Sequence, residues 1–187
     1  LEARRLRGGH PVFLALDEAV PRQGFILDLG CGYGIATHWL ACFTDTRTFL
    51  GVDYDEEKIR VARRTAPAHP RIQFETGDIL EREYPACDTI LLLDVLHYWT
   101  PEKQQLILNQ ARAALRPGGR LVLRDGARAE SGAHQRVHRW EKFATRMGMK
   151  RTKEGLHFLT LLELESALQR AGFAAWEIKS KAGRDSN

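Results

Sequence analysis

The chain has 187 residues, 43% hydrophobic and 28% charged, with a formal net charge of +4 at pH 7. That length fits one domain with a sizeable core. No apolar run reaches the ~18–20 residues of a membrane span, and three scattered cysteines exclude a disulfide framework or a zinc site. The basic start, with Arg4, Arg5 and Arg7, has no apolar signal-peptide core, so the expectation is a cytoplasmic protein without a leader.

Strands and helices alternate along the chain, which predicts an α/β fold: a doubly wound, Rossmann-like, mostly parallel sheet with helices on both faces. A helix is expected at 11–19 and a first strand at 25–29. The strand breaks at Gly30, Gly32 and Gly34 and leads into a helix at 34–42. A strand, a glycine turn and a helix start in that order predict backbone N–H groups aimed at a small polar ligand, with glycines allowing close approach. The dinucleotide spacing G-x-G-x-x-G would need glycine at position 35, where Ile35 stands. The pattern is instead Asp28-x-Gly30-Cys31-Gly32-x-Gly34. A second strand at 48–53 ends in Asp53, about 20 residues beyond the glycines, where a carboxylate can accept ribose hydroxyls. Tyr54 follows it and can lie against a base.

Further on, a helix is expected at 55–66, strands at 71–75 and 88–93, a helix at 101–115 and a strand at 119–124. Thr100 and Pro101 read as N-cap and first helical residue. A helix at 134–147 and one at 161–171 follow, the latter with Thr160 and Glu163 at capping-box spacing and Gly172 as its stop. A sixth strand is expected at 174–180. Cys42 and Cys87 read as small apolar fillers.

In these residues the chain resembles the class I S-adenosylmethionine-dependent methyltransferases. The glycine loop, the turn Gly77-Asp78-Ile79-Leu80, the run Asp94-Val95-Leu96-His97-Tyr98 and the turn Pro117-Gly118-Gly119 occur in the family's order between about residues 24 and 124. The resemblance implies S-adenosylmethionine as cofactor and S-adenosylhomocysteine as product. It implies cofactor-binding roles for Asp28, Gly30, Cys31, Gly32, Gly34, Asp53, Tyr54, Asp78, Ile79 and Asp94, and no metal. His97 and Tyr98 fall where the methyl-transfer site should open, and His97 is the candidate general base. The family normally adds a seventh, antiparallel strand, for which no apolar run remains, and the first residue is not Met. The expectation is a piece of a longer polypeptide.

Residues 124–153 carry nine Lys or Arg against three acids, and Val137, Trp140, Ala144 and Met147 share one helical face. The reading is a single domain, 1–187, with a helical cover inserted around 126–158, whose apolar face His134 and His138 would flank. The expected activity is methyl transfer to a small-molecule acceptor, most simply at oxygen, the acceptor being anionic or borne on an acidic carrier. A nucleic-acid methyltransferase and a non-catalytic cofactor-binding domain are the alternatives. Aromatic residues do not interleave with the basic ones as base stacking would require, so nucleic acid is the weaker partner.

Overall fold

A computed structural model describes residues 11–66, 70–128 and 155–177. Five parallel strands form one sheet in the order β3-β2-β1-β4-β5, with β1 at Gly24–Leu29, β2 at Arg47–Asp53, β3 at Ile72–Thr76, β4 at Cys87–Leu93 and β5 at Leu115–Arg124. The strand order reverses between β1 and β4, so a crevice opens beyond their carboxyl ends, where ligands of doubly wound sheets bind.

Side chains along β1 alternate between the two faces, as strand geometry requires. Leu27 and Leu29 join Leu50, Val52, Ile90 and Leu92 on one face. Helix α4 (Pro101–Ala114) covers it with Ile107, Leu108 and Ala111, and α5 (Leu161–Arg170) with Ala167 and Leu168. Ile26, Phe49 and Leu91 face the other way, against Leu16 of α1 (Pro11–Ala19) and Leu40 of α2 (Ile35–Ala41). Helix α3 (Glu56–Thr65) packs Ile59 and Ala62 on Phe74 of β3. Each central strand is buried on both faces, hence the nearly unbroken apolar runs in the sequence.

The ends of α5 follow its sequence signals. Thr160 Oγ1 accepts from the Glu163 N–H at 3.2 Å, and the Glu163 carboxylate accepts from the Thr160 N–H at 2.7 Å. At the far end Gly172 has φ +87°, and the N–H groups of Gly172 and Phe173 donate to the carbonyls of Gln169 and Leu168. Thr100 occupies the N-cap of α4 as expected, with Pro101 following, but its side chain makes no capping hydrogen bond.

Three expectations need correction. β5 begins at Leu115 rather than 119, because Cys87 pairs with Leu115 and Thr89 with Arg120, leaving residues 116–119 to bulge opposite Asp88. Residues 174–177 of the expected sixth strand are exposed and lie outside the sheet; the short run Ala174, Ala175 and Trp176 buries too little to hold it against the β5 edge. Cys87 is buried as a filler should be, whereas Cys42 is exposed. The expected helix at 134–147, with His134 and His138, lies outside the described residues, as does most of the 126–158 insertion. Among the described residues no helix is long and apolar enough to cross a membrane.

Candidate functional site

The glycine loop leaves the carboxyl end of β1 and turns back at once. The N–H groups of Gly30 and Cys31 both donate to the Val52 carbonyl, at 2.8 and 3.0 Å, and Gly34 N–H donates to Cys31 O at 2.9 Å. Gly32 N–H donates to Asp53 Oδ2 at 2.9 Å. These four donors are therefore used inside the protein. Three of them tie the loop to β2 and the Gly34 N–H closes the loop on Cys31, so the expectation of ligand-facing N–H groups does not hold for these four. The glycines serve shape instead. Gly34 has φ +73°, and a Cβ there would stand 2.5 Å from the Phe74 ring. Gly32 has φ +55°, and a Cβ there would meet nothing within 4 Å. The loop thus rests on Phe74 at one glycine and faces open space at another.

Asp53 is 6% exposed at the end of β2. One carboxylate oxygen holds the Gly32 N–H and the other the Asp55 N–H at 2.9 Å. Each oxygen keeps a lone pair for a further donor. Asp28 lies in β1, 2% exposed, and accepts from the Thr37 hydroxyl of α2 at 2.7 Å. Burial raises its pKa, the Thr37 hydrogen bond lowers it and the Asp53 charge raises it, and together they carry it to about 6. Burial, then the same two carboxylates, drive the Cys31 thiol far up, so it stays protonated and inert. The carboxyl edge of β1 and β2 is a buried, negatively charged cradle.

The turn after β3 closes the cradle's side. Gly77 N–H donates to Asp53 O at 2.9 Å, and Asp78 Oδ1 accepts from Leu80 N–H at 2.9 Å. Ile79 is 5% exposed, its carbonyl held by the Tyr84 hydroxyl at 2.7 Å. Tyr54 stays partly exposed beside Asp53.

Across the switch point, Gly30 abuts Val95, where a Cβ on the glycine would come within 2.5 Å of a Val95 methyl. Asp94 has φ +58°, the left-handed region that non-glycine residues seldom enter. Its N–H donates to Arg124 O at 2.7 Å, and its carboxylate is engaged by both Nε and Nη2 of Arg124. The turn Leu96–Tyr98 follows. His97 is 5% exposed, with Nδ1 bonded to Asp125 Oδ1 and its backbone N–H donating to Asp125 Oδ2 at 3.0 Å. The ring stacks on Phe158 at 4.7 Å between centroids. Burial, then Asp94, Asp125 and Tyr54, push the Tyr98 phenol up to about 12. Among the described residues a cavity of about 50 Å³ borders His97, Asp125 and Gln104.

The sequence-predicted residues therefore form two linked groups. Asp28, Gly30, Cys31, Gly32, Gly34, Asp53, Asp78 and Ile79 build the cradle over β1–β3. Asp94, His97 and Tyr98 stand at the end of β4, joined to it where Gly30 meets Val95. Sequence reasoning missed Asp125, which fixes His97 at two points. The available signal was its place just past an apolar strand, as Asp94 follows β4 and Asp53 ends β2.

The methyltransferase domain family matches residues 26–119, about half of the chain. A malonyl-[acyl-carrier protein] O-methyltransferase of Halalkalibacterium halodurans is 26% identical over 147 residues, 76% of this chain and 53% of that protein. The 27-O-demethylrifamycin SV methyltransferase of Amycolatopsis mediterranei is 34% identical over 105 residues, 54% of this chain and 38% of that protein. The chain thus spans about half, or less, of the length of these relatives. Human N-acetylserotonin methyltransferase, solved in complex with SAM, superposes with a TM-score of 0.71 at 19% identity, over 91% of this chain and 48% of that one. With loop, strand order and family match in agreement, the chain belongs to the class I S-adenosylmethionine-dependent methyltransferases.

Proposed function

We propose that this chain binds S-adenosylmethionine on the β1–β3 cradle and transfers its methyl group to a small-molecule hydroxyl, with His97 as base. The observation that carries the reading is Asp53, buried at the end of β2 and bonded to Gly32 beneath an open surface. The residues present suit the cofactor: Asp53 keeps lone pairs for ribose hydroxyls, the face at Gly32 has no Cβ in the way, and Asp28 with Asp53 favours a cation. Tyr54, Asp78 and Ile79 border the side where the adenine would lie. The bound cofactor would supply an electrophilic methyl on a sulfonium, so orientation of the acceptor can carry much of the rate.

His97 is the residue suited to remove the hydroxyl proton. Its Nδ1–H points at a carboxylate, which leaves Nε2 as the basic nitrogen, and Asp125 stabilises the imidazolium that forms. Tyr98, with a pKa near 12, stays a phenol and donates a hydrogen bond instead of acting as a base. Asp94, engaged with Arg124, shapes the floor between cofactor and acceptor.

The O-methyltransferase activities of the two relatives support oxygen as the acceptor atom. An anionic or carrier-borne acceptor is the finer reading, favoured by the basic run from Arg124 to Lys153 and by the carrier named for the Halalkalibacterium relative. The single-domain organisation, with its excursion at 126–158, draws support from two ties: Arg128 N–H donates to Leu159 O, joining the excursion's described ends, and His157 N–H donates to His97 O in the turn after β4. A cytoplasmic location suits three free thiols. The test is methyl transfer from labelled S-adenosylmethionine to a panel of hydroxyl and carboxyl acceptors. Turnover on one of them, reduced ~10²–10⁴-fold by His97→Gln, is the expected result. Turnover that His97→Gln leaves intact would refute the base.

A further inference from the structure

We propose that Gln104 is a positioning residue for His97, tying the returning chain at His157 to the far end of the His97 turn. The inference rests on the reading of His97 as the base. Gln104 lies in the first turn of α4 and is 1% exposed. Its Nε2 gives one proton to the Trp99 carbonyl and the other to the His157 carbonyl, each at 2.8 Å. The first contact is local. The second crosses 53 positions in sequence to a residue that itself donates to His97 O at 2.8 Å. His157 is thereby held from both sides, on one by His97 and on the other by Gln104.

The next residue shows what this achieves. Phe158 is delivered onto the His97 ring, nearly parallel at 17°. Room for it depends on Gly126, where a Cβ would stand 2.9 Å from the Phe158 ring. Gly126 N–H in turn donates to Asp125 Oδ1 at 2.7 Å, the oxygen that meets His97 Nδ1. The imidazole is thus fixed at its edge by Asp125 and on its face by Phe158, and Gln104 holds the backbone that brings Phe158 there. An imidazole's χ2 is broad and roughly two-fold without such contacts. Gln104 Oε1 is buried and accepts from no described residue. The two Nε2 contacts need a side chain of this length with two N–H donors, which glutamine supplies.

Histidine-selective ¹⁵N NMR of the full chain tests this without any acceptor. In the wild type, the resonance that disappears in His97→Gln should show a protonated Nδ1, a bare Nε2 and a strongly downfield Nδ1 proton. Gln104→Met keeps the length and loses both donors. It should lose the downfield proton and mix the tautomers, while S-adenosylhomocysteine still binds as in the wild type. An unchanged His97 signature in Gln104→Met would overturn the proposal. Should Gln104→Met not fold, Phe158→Leu gives the same reading: loss of the signature supports the proposal and its persistence overturns it. Failure of the base would show separately, as methyl turnover that survives His97→Gln.

Discussion

Gly32 and Gly34 stand two residues apart and answer to different constraints. Gly34 is packed from inside by Phe74, so Gly34→Ala adds a clash to a left-handed backbone and should lower stability by about 2–4 kcal/mol. Gly32 meets nothing of the protein. Gly32→Ala should cost only ~1–2 kcal/mol in folding yet weaken S-adenosylhomocysteine binding by at least about tenfold, ~1.4 kcal/mol. Denaturation and calorimetry on the two variants separate these effects. Asp28 gives a pH test. Its folded pKa of about 6 lies above the ordinary 3.8, so the folded chain holds this proton more tightly than the unfolded chain. The stability it contributes is fully present below 3.8 and is lost as pH rises through about 6. Asp28→Asn should therefore be more stable than the wild type at pH 7.5 without ligand, by up to roughly 3 kcal/mol, and equal to it near pH 3.5. Affinity for the cationic cofactor should run the opposite way, falling below pH 6 as Asp28 protonates, with a flatter profile in Asp28→Asn. The residues of the loop were legible in the sequence; the partners of their N–H groups were not. Those depend on β1 lying beside β2 in a register that brings Val52 and Asp53 under the glycines, and no local pattern records that pairing.

At the scale of elements, helix ends were read well where the signal was reciprocal and less well where it was single. Thr160 and Glu163 cap α5 through two hydrogen bonds that require both residue types at fixed spacing. Thr100 relies on one side chain, which caps nothing. Thr160→Ala should accordingly destabilise the protein by ~1 kcal/mol in chemical denaturation, whereas Thr100→Ala should change stability little. Strand boundaries were less legible. The Pro117-Gly118-Gly119 turn looked like a loop before β5, but pairing of Leu115 with Cys87 starts the strand on its near side. The run at 174–177 offers one strong strand former, Trp176, beside two alanines and Glu177, too little apolar surface to hold it on the sheet. Asp125 escaped notice because an acid after a strand is common, and only the packing of β5 beside β4 brings it to His97.

Across the whole molecule, the strand order does the placing. Reversal between β1 and β4 sets the cradle of Asp28 and Asp53 on one side of the switch point, and Asp94, His97 and Asp125 on the other, with Gly30 against Val95 at the seam. Cofactor and acceptor would then meet across that seam, with neither group needing to move far. The architecture was legible because each motif sits at a strand end and the motifs occur in order. The acceptor was not, because its contacts come from segments whose sequence reports charge and apolar faces but not what they enclose. Methyl transfer by this chain requires a cofactor on the cradle, so the decisive measurement is calorimetric titration of the chain with S-adenosylhomocysteine. Saturable one-to-one binding, weakened more than about tenfold by Asp53→Ala as expected for hydrogen bonds to a charged acceptor, is the predicted result. No binding of S-adenosylhomocysteine, or binding of NADH in its place, would contradict it.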